Sequence, residues 1–149
     1  MEDKMVSAAE ISVLGIFGSA VAALFGGWNE AMTTLCIFMA IDYLTGLFVA
    51  IAGKSKKTKK GGLSSKVGFF GLMKKVMIML TIIVAFRLDL LINVGSTYVK
   101  DGTCIAFIIN ETISILENVG KFIPIPVPIQ KAIDVLKNRN EDDKNDKRN

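Results

Sequence analysis

Residues 31–52, AMTTLCIFMAIDYLTGLFVAIA, contain a single charged side chain, Asp42. Directly after them comes GKSKKTKKGGLSSK at 53–66, with six lysines and no acid. This junction constrains the fold more than any motif in the chain. As a helix, 31–52 is about 33 Å long, enough to cross a bilayer with some tilt. The lysine segment (Lys54, Lys56, Lys57, Lys59, Lys60 and Lys66) could be a nucleic-acid patch, a flexible linker or a cytoplasmic loop. Its place between two apolar runs decides for the loop, because clustered lysines resist translocation. No nucleic-acid partner is expected. The lysines are also placed to touch anionic lipid heads, a generic attraction of about 1 kcal/mol each.

The rest of the chain repeats this uneven distribution. Of 149 residues, 51% are hydrophobic and only 21% charged, and the mean hydropathy is +0.46. In such a chain the bilayer replaces much of a buried core. The first apolar run, 11–27, is about 26 Å long as a helix, close to the lower limit for a span. It leads into the second run without a convincing cleavage site, so no secretory signal peptide is expected. Gly15, Ser19, Ala23 and Gly27 recur at every fourth position within it, as do Gly18, Ala22 and Gly26. Such small-residue ridges let helix backbones approach closely, although small residues are also common in membrane helices. Trp28 marks an interface, with Asn29 and Glu30 in a tight turn.

A third run starts near Val67 and continues to Phe86, interrupted by Lys74 and Lys75. Either these lysines snorkel to the cytoplasmic surface, or 64–73 lies in the interface and the span begins at Val76. Arg87 and Asp89 then need partners. Residues 93–102 read as an outer loop, and a last run, 103–123, returns inward. All three prolines fall within 124–128, IPIPVPI being an extended strap. Ile129, Ile133 and Leu136 give a short amphipathic turn or two. The expected architecture is all-α: a polytopic membrane helix bundle of three or four spans over residues 1–136. A charged, disordered tail occupies 137–149.

Catalysis has little to work with. There is no histidine, which removes the usual general base and metal ligand. Cys36 and Cys104 form no metal-binding spacing and read as two free thiols, a disulfide being the alternative. No nucleotide loop, nucleophile elbow or zinc-protease motif occurs. The expectation is a protein that is not an enzyme and uses no metal or cofactor.

Polar residues inside the apolar runs are therefore the candidate functional ones. Asp42 lies near the middle of its run, where a charge costs at least ~2.5 kcal/mol, so it should face protein or water. Gly46 and Ala50 follow on that face and leave room for a neighbour. In 110–118, NETISILEN, a helix gathers Asn110, Glu111, Ser114, Glu117 and Asn118 within an arc of roughly 120°. Such a stripe either lines a wet path or ties helices together by hydrogen bonds.

The motifs IDYLTGLF (41–48), LSSKVGFFGLMKKVMIML (63–80), NETISILEN (110–118) and the proline strap occur in one order. Together they resemble the toxin-secretion and phage-lysis holin family of clostridia and Gram-positive phages, over residues 31–136. Asp42 matches an acid before the basic loop. Ser65, Gly68, Gly71, Lys74 and Lys75 match a second pattern, and Glu111, Ser114, Ile115 and Leu116 a third. The resemblance implies homo-oligomers in the bacterial cytoplasmic membrane that open a timed lesion. An endolysin or a large toxin would pass without stable binding. It also implies that paired starts are worth noting, here Met1 and Met5. The competing readings are a non-lytic membrane adaptor, docking a partner through stripe and tail, and a small channel subunit.

Overall fold

The computed structural model describes residues 8–58, 61–92 and 95–135. The charged tail, Leu136, the Met5 start, Lys59 and Lys60 lie outside them. Four helices follow one another: α1 (Ala8–Leu24), α2 (Glu30–Ile51), α3 (Ser65–Ile92) and α4 (Tyr98–Val119). A fifth helical segment, α5, covers 127–135. No strand occurs among the described residues.

Local chemistry explains most of the boundaries. Gly26, with φ +69°, ends α1. The Gly27 N–H donates to the Ala22 carbonyl and the Gly26 N–H to Ala23, the paired bonds of a Schellman cap. The same motif closes α2, where Gly53 has φ +69° and the Lys54 N–H reaches the Val49 carbonyl. At the start of α2 the Asn29 side chain accepts the Met32 N–H at 3.0 Å, an N-cap.

Several sequence expectations shift. The first run is helical over Ala8–Leu24, so Gly26 and Gly27 belong to the turn after it and not to a helical ridge. Helix α3 is continuous through Lys74 and Lys75, with no break before Val76. Helix α4 begins at Tyr98, so half of the expected outer loop is helix. The strap is extended only around Pro124 and Pro126. Pro128 sits in the first turn of α5, where the missing N–H costs nothing.

The chain forms two compact units. The first combines described residues within 1–37 and 73–108. Its core holds Phe25, Met32, Leu35, Ile78, Ile82, Ala85 and Cys104, all buried. On α3 the buried positions 78, 82, 85 and 89 recur at helical spacing and make one stripe. Phe86 fills the space that a side chain at Gly26 would need. The second unit combines described residues within 38–72 and 109–149. Met39, Val49 and Ile133 are its buried apolar side chains. Ile133 thus fulfils the inward part of the amphipathic segment, while Ile129 is exposed. Tyr43 lies against Gly68 and Gly71, where a Cβ would be in ordinary contact with its ring and hydroxyl.

The Gly26–Phe86 contact makes a direct test. Gly26→Ala should cost about 1–2 kcal/mol for the left-handed backbone alone, plus the displacement of the Phe86 ring. Adding Phe86→Ala should remove only the second part of the Gly26→Ala penalty. Thermal unfolding of the four variants in detergent, followed by circular dichroism, measures both parts.

Candidate functional site

Two polar clusters stand out, one in each unit. In the second unit, the Asn118 amide nitrogen donates to Thr45 Oγ1 at 3.2 Å and, more weakly, to Asp42 Oδ1 at 3.4 Å. Asn118 is buried and lies 3.6 Å from where a Gly46 Cβ would stand. Gly46 is thus the slim position opposite Asn118. The Asn118 carbonyl oxygen accepts from Lys121 Nζ at 3.4 Å. One asparagine therefore joins α2 to the turn after α4.

The stripe on α4 splits into two edges. Glu111 and Asn118, seven residues apart, are buried, and Ser114 between them is half-buried. Asn110 and Glu117, also seven apart, form the exposed edge. A carboxylate at Glu111 with no surface exposure inside an apolar chain is a strong constraint on its surroundings.

The first unit holds a cluster built on Asp89, for which sequence reasoning expected a partner without identifying one. Asp89, 3% exposed, accepts the Val99 N–H on Oδ1 and the Lys100 N–H on Oδ2, both at 2.8 Å. Those N–H groups belong to the first turn of α4 and have no partner within their own helix. Lys100, 1% exposed, sends its ammonium to the carbonyls of Phe25 at 3.0 Å and Gly27 at 3.1 Å, beyond the end of α1. Each charge thus meets the helix end of opposite polarity. Asp101 extends the cluster, accepting from Asn29 Nδ2 and from Thr97 Oγ1, both at 2.8 Å. The one available signal was Thr97 followed by apolar residues and Asp101, a helix-start pattern. Nothing in the sequence marks Asp89 as the cap, because it precedes Val99 by ten residues on another helix.

The remaining predicted residues lie as follows. Gly15 and Gly18 would meet nothing within 4 Å if they carried a Cβ, and residues 13–20 of α1 are all exposed. Ser19 bonds its own helix, donating to the Ile16 carbonyl. Ala22 is half-buried and Ala23 exposed. Lys54, Lys56, Lys57 and Lys66 are exposed. Both cysteines are free thiols, Cys104 lying 3.7 Å from the Met32 sulfur.

Among the described residues α2 is long and apolar enough to cross a membrane, and α1 is apolar but shorter. Residues 19–138 match the bacteriophage holin family, and the chain belongs to it. This is not an enzyme family. An uncharacterized protein of Clostridium acetobutylicum is 36% identical over 78% of this chain and 88% of its own length. An uncharacterized 14.9 kDa protein of Clostridium perfringens, in the nagH 3′ region, is 35% identical over 82% and 88%. One from Listeria innocua is 32% identical over 93% and 94%. No solved structure matches the chain.

Proposed function

We propose that this protein is a holin: it accumulates in the bacterial cytoplasmic membrane as a multi-pass protein, oligomerises, and opens a timed lesion. An endolysin or a large toxin leaves through that lesion without stable binding. Family membership is the observation that carries this reading. The distribution of exposed apolar side chains supports it. Val13, Leu14, Ile16 and Phe17 on α1 are each exposed by 66–70%, which water tolerates poorly and lipid or a second copy accepts. The ridges of Gly15, Ser19 and Ala23, and of Gly18 and Ala22, are then surfaces for contact between copies. Helices α1 to α4 supply three or four spans, with the lysine loop on the cytoplasmic side.

In this reading Glu111 and Asn118, buried, and Asp42 and Ser114, half-buried, pack among helices while subunits are dispersed. Assembly brings them, with Asn110 and Glu117, to a wet path. Inducing the chain in bacteria should leave growth and membrane potential intact for a delay and then abolish the potential abruptly. Glu111→Gln and Asp42→Asn should each shift that delay at unchanged membrane level, because losing a charge lowers the cost of moving that face. Full expression with no loss of potential would sink the proposal and leave the adaptor reading. Variants that vanish from the membrane would instead make these charges structural ties.

A further inference from the structure

The described residues just after α2, 53–58 and 61–62, are tied to one another by hydrogen bonds. The Ser55 N–H donates to the Gly61 carbonyl, the Gly61 N–H to Thr58, and the Thr58 hydroxyl to the Gly62 carbonyl. Gly61 adopts φ +70° and packs against the Gly53 carbonyl, which admits no Cβ. The Lys57 N–H bonds the Ser55 hydroxyl.

Lys54 is held at both ends by its neighbours. Lys54 Nζ donates to the Lys121 carbonyl at 2.9 Å and stands 4.8 Å over the Phe122 ring. Its own N–H completes the cap of α2, so both ends of the residue are held. Lys121 Nζ is held in turn by Asn118. Phe122 and Ile123 are 49% and 59% exposed beside these cations.

We propose that Lys54, Lys121 and Phe122, with Lys56 and Lys57, form a binding site for the headgroup of an anionic phospholipid. The phosphate sits among the ammonium groups, and Phe122 and Ile123 lie against the acyl chains. The proposal rests on the membrane reading above, and not on lesion formation.

Two arguments favour this ligand. Burial first, and then the charges of Lys57 and Lys56, hold the Lys121 ammonium below the usual lysine range, against the opposing pull of Glu117. A fold that gathers like charges in this way is relieved by an anion. The second argument separates lipid from free phosphate. Exposed apolar side chains adjoin the cations, and basic sites beside transmembrane helices at the cytoplasmic face suit lipid headgroups.

The test is native mass spectrometry of the full chain in detergent, titrated with phosphatidylglycerol or phosphatidylcholine of identical acyl chains. Soluble glycerol phosphate is the competitor. Phosphatidylglycerol should be retained at least about fivefold more tightly than phosphatidylcholine, the ratio that about 1 kcal/mol from a single lysine gives. Glycerol phosphate should not displace it. Lys54→Gln with Lys121→Gln should abolish that preference, while the paired arginine variants keep it. Arg87→Gln with Lys131→Gln, which removes the same charge from exposed positions outside the lysine loop, should leave it intact. Circular dichroism verifies that each variant is folded. Equal retention of the two lipids, displacement by glycerol phosphate, or equal loss in the Arg87/Lys131 pair would overturn the proposal. A chain that opens membranes on schedule without selecting phosphatidylglycerol loses this inference alone. One that selects it without lysis loses the lesion reading alone.

Discussion

Asp89→Ala should destabilise the protein by about 2–6 kcal/mol, since each of two N–H groups left without its partner costs about 1–3 kcal/mol. The loss is large because the carboxylate holds two N–H groups of the first α4 turn, at 2.8 Å each, in a place with almost no exposure. Alanine leaves both donors unsatisfied, and it strips the N-terminus of α4 of the negative charge that its dipole favours. Asp89→Asn should recover about half, since its amide has one accepting oxygen and turns an NH2 group toward the other donor. Denaturant unfolding in detergent measures the loss, and hydrogen exchange locates it. The amides of Val99 and Lys100 should lose protection before the rest of α4. A midpoint unchanged from the parent protein would show that the bonds to Asp89 carry no net stability.

Lys100→Met should be the second most damaging substitution, by about 2–4 kcal/mol. The ammonium supplies hydrogen bonds from a charged donor, each worth about 1.5–3 kcal/mol, to the carbonyls of Phe25 and Gly27. Methionine keeps the length and apolar stem but leaves the carbonyls bare. The damage should appear at the other end of the unit's chain. Exchange should quicken around 22–27, with α4 itself little changed. Because the Lys100 N–H also bonds Asp89, the double variant should fall short of the sum of the singles by about 0.5–3 kcal/mol. Strict additivity would mean that the two charges act independently.

These two residues also mark where sequence reasoning stops. Helix α2 was legible almost to the residue, 31–52 expected against Glu30–Ile51 observed, because its limits depend on Asn29 and Gly53 beside it in the chain. The pairing of Asp42 with the α4 stripe through Asn118 was foreshadowed by the slim face at Gly46. Helix α4, by contrast, starts five residues earlier than its apolar run. Lys100 and Asp101 look like solvent-exposed loop charges until Asp89 on α3 and Asn29 at the cap of α2 are set against them. Periodicity finds faces, but it says nothing about which distant carboxylate will cap a helix. The two edges of 110–118 were hidden for a similar reason. Asn110 and Glu117 differ from Glu111 and Asn118 only by what packs nearby.

The cap on α1 has a consequence in time. Lys100 follows Gly27 by 73 residues, so at a synthesis rate of about 5–20 residues per second it emerges roughly 4–15 s later. During that interval the carbonyls of Phe25 and Gly27 have no ammonium to meet, and water must serve them instead. Only the arrival of Lys100 gives these carbonyls a charged donor from the chain itself, so the order of translation is also the order in which this end of the first unit closes.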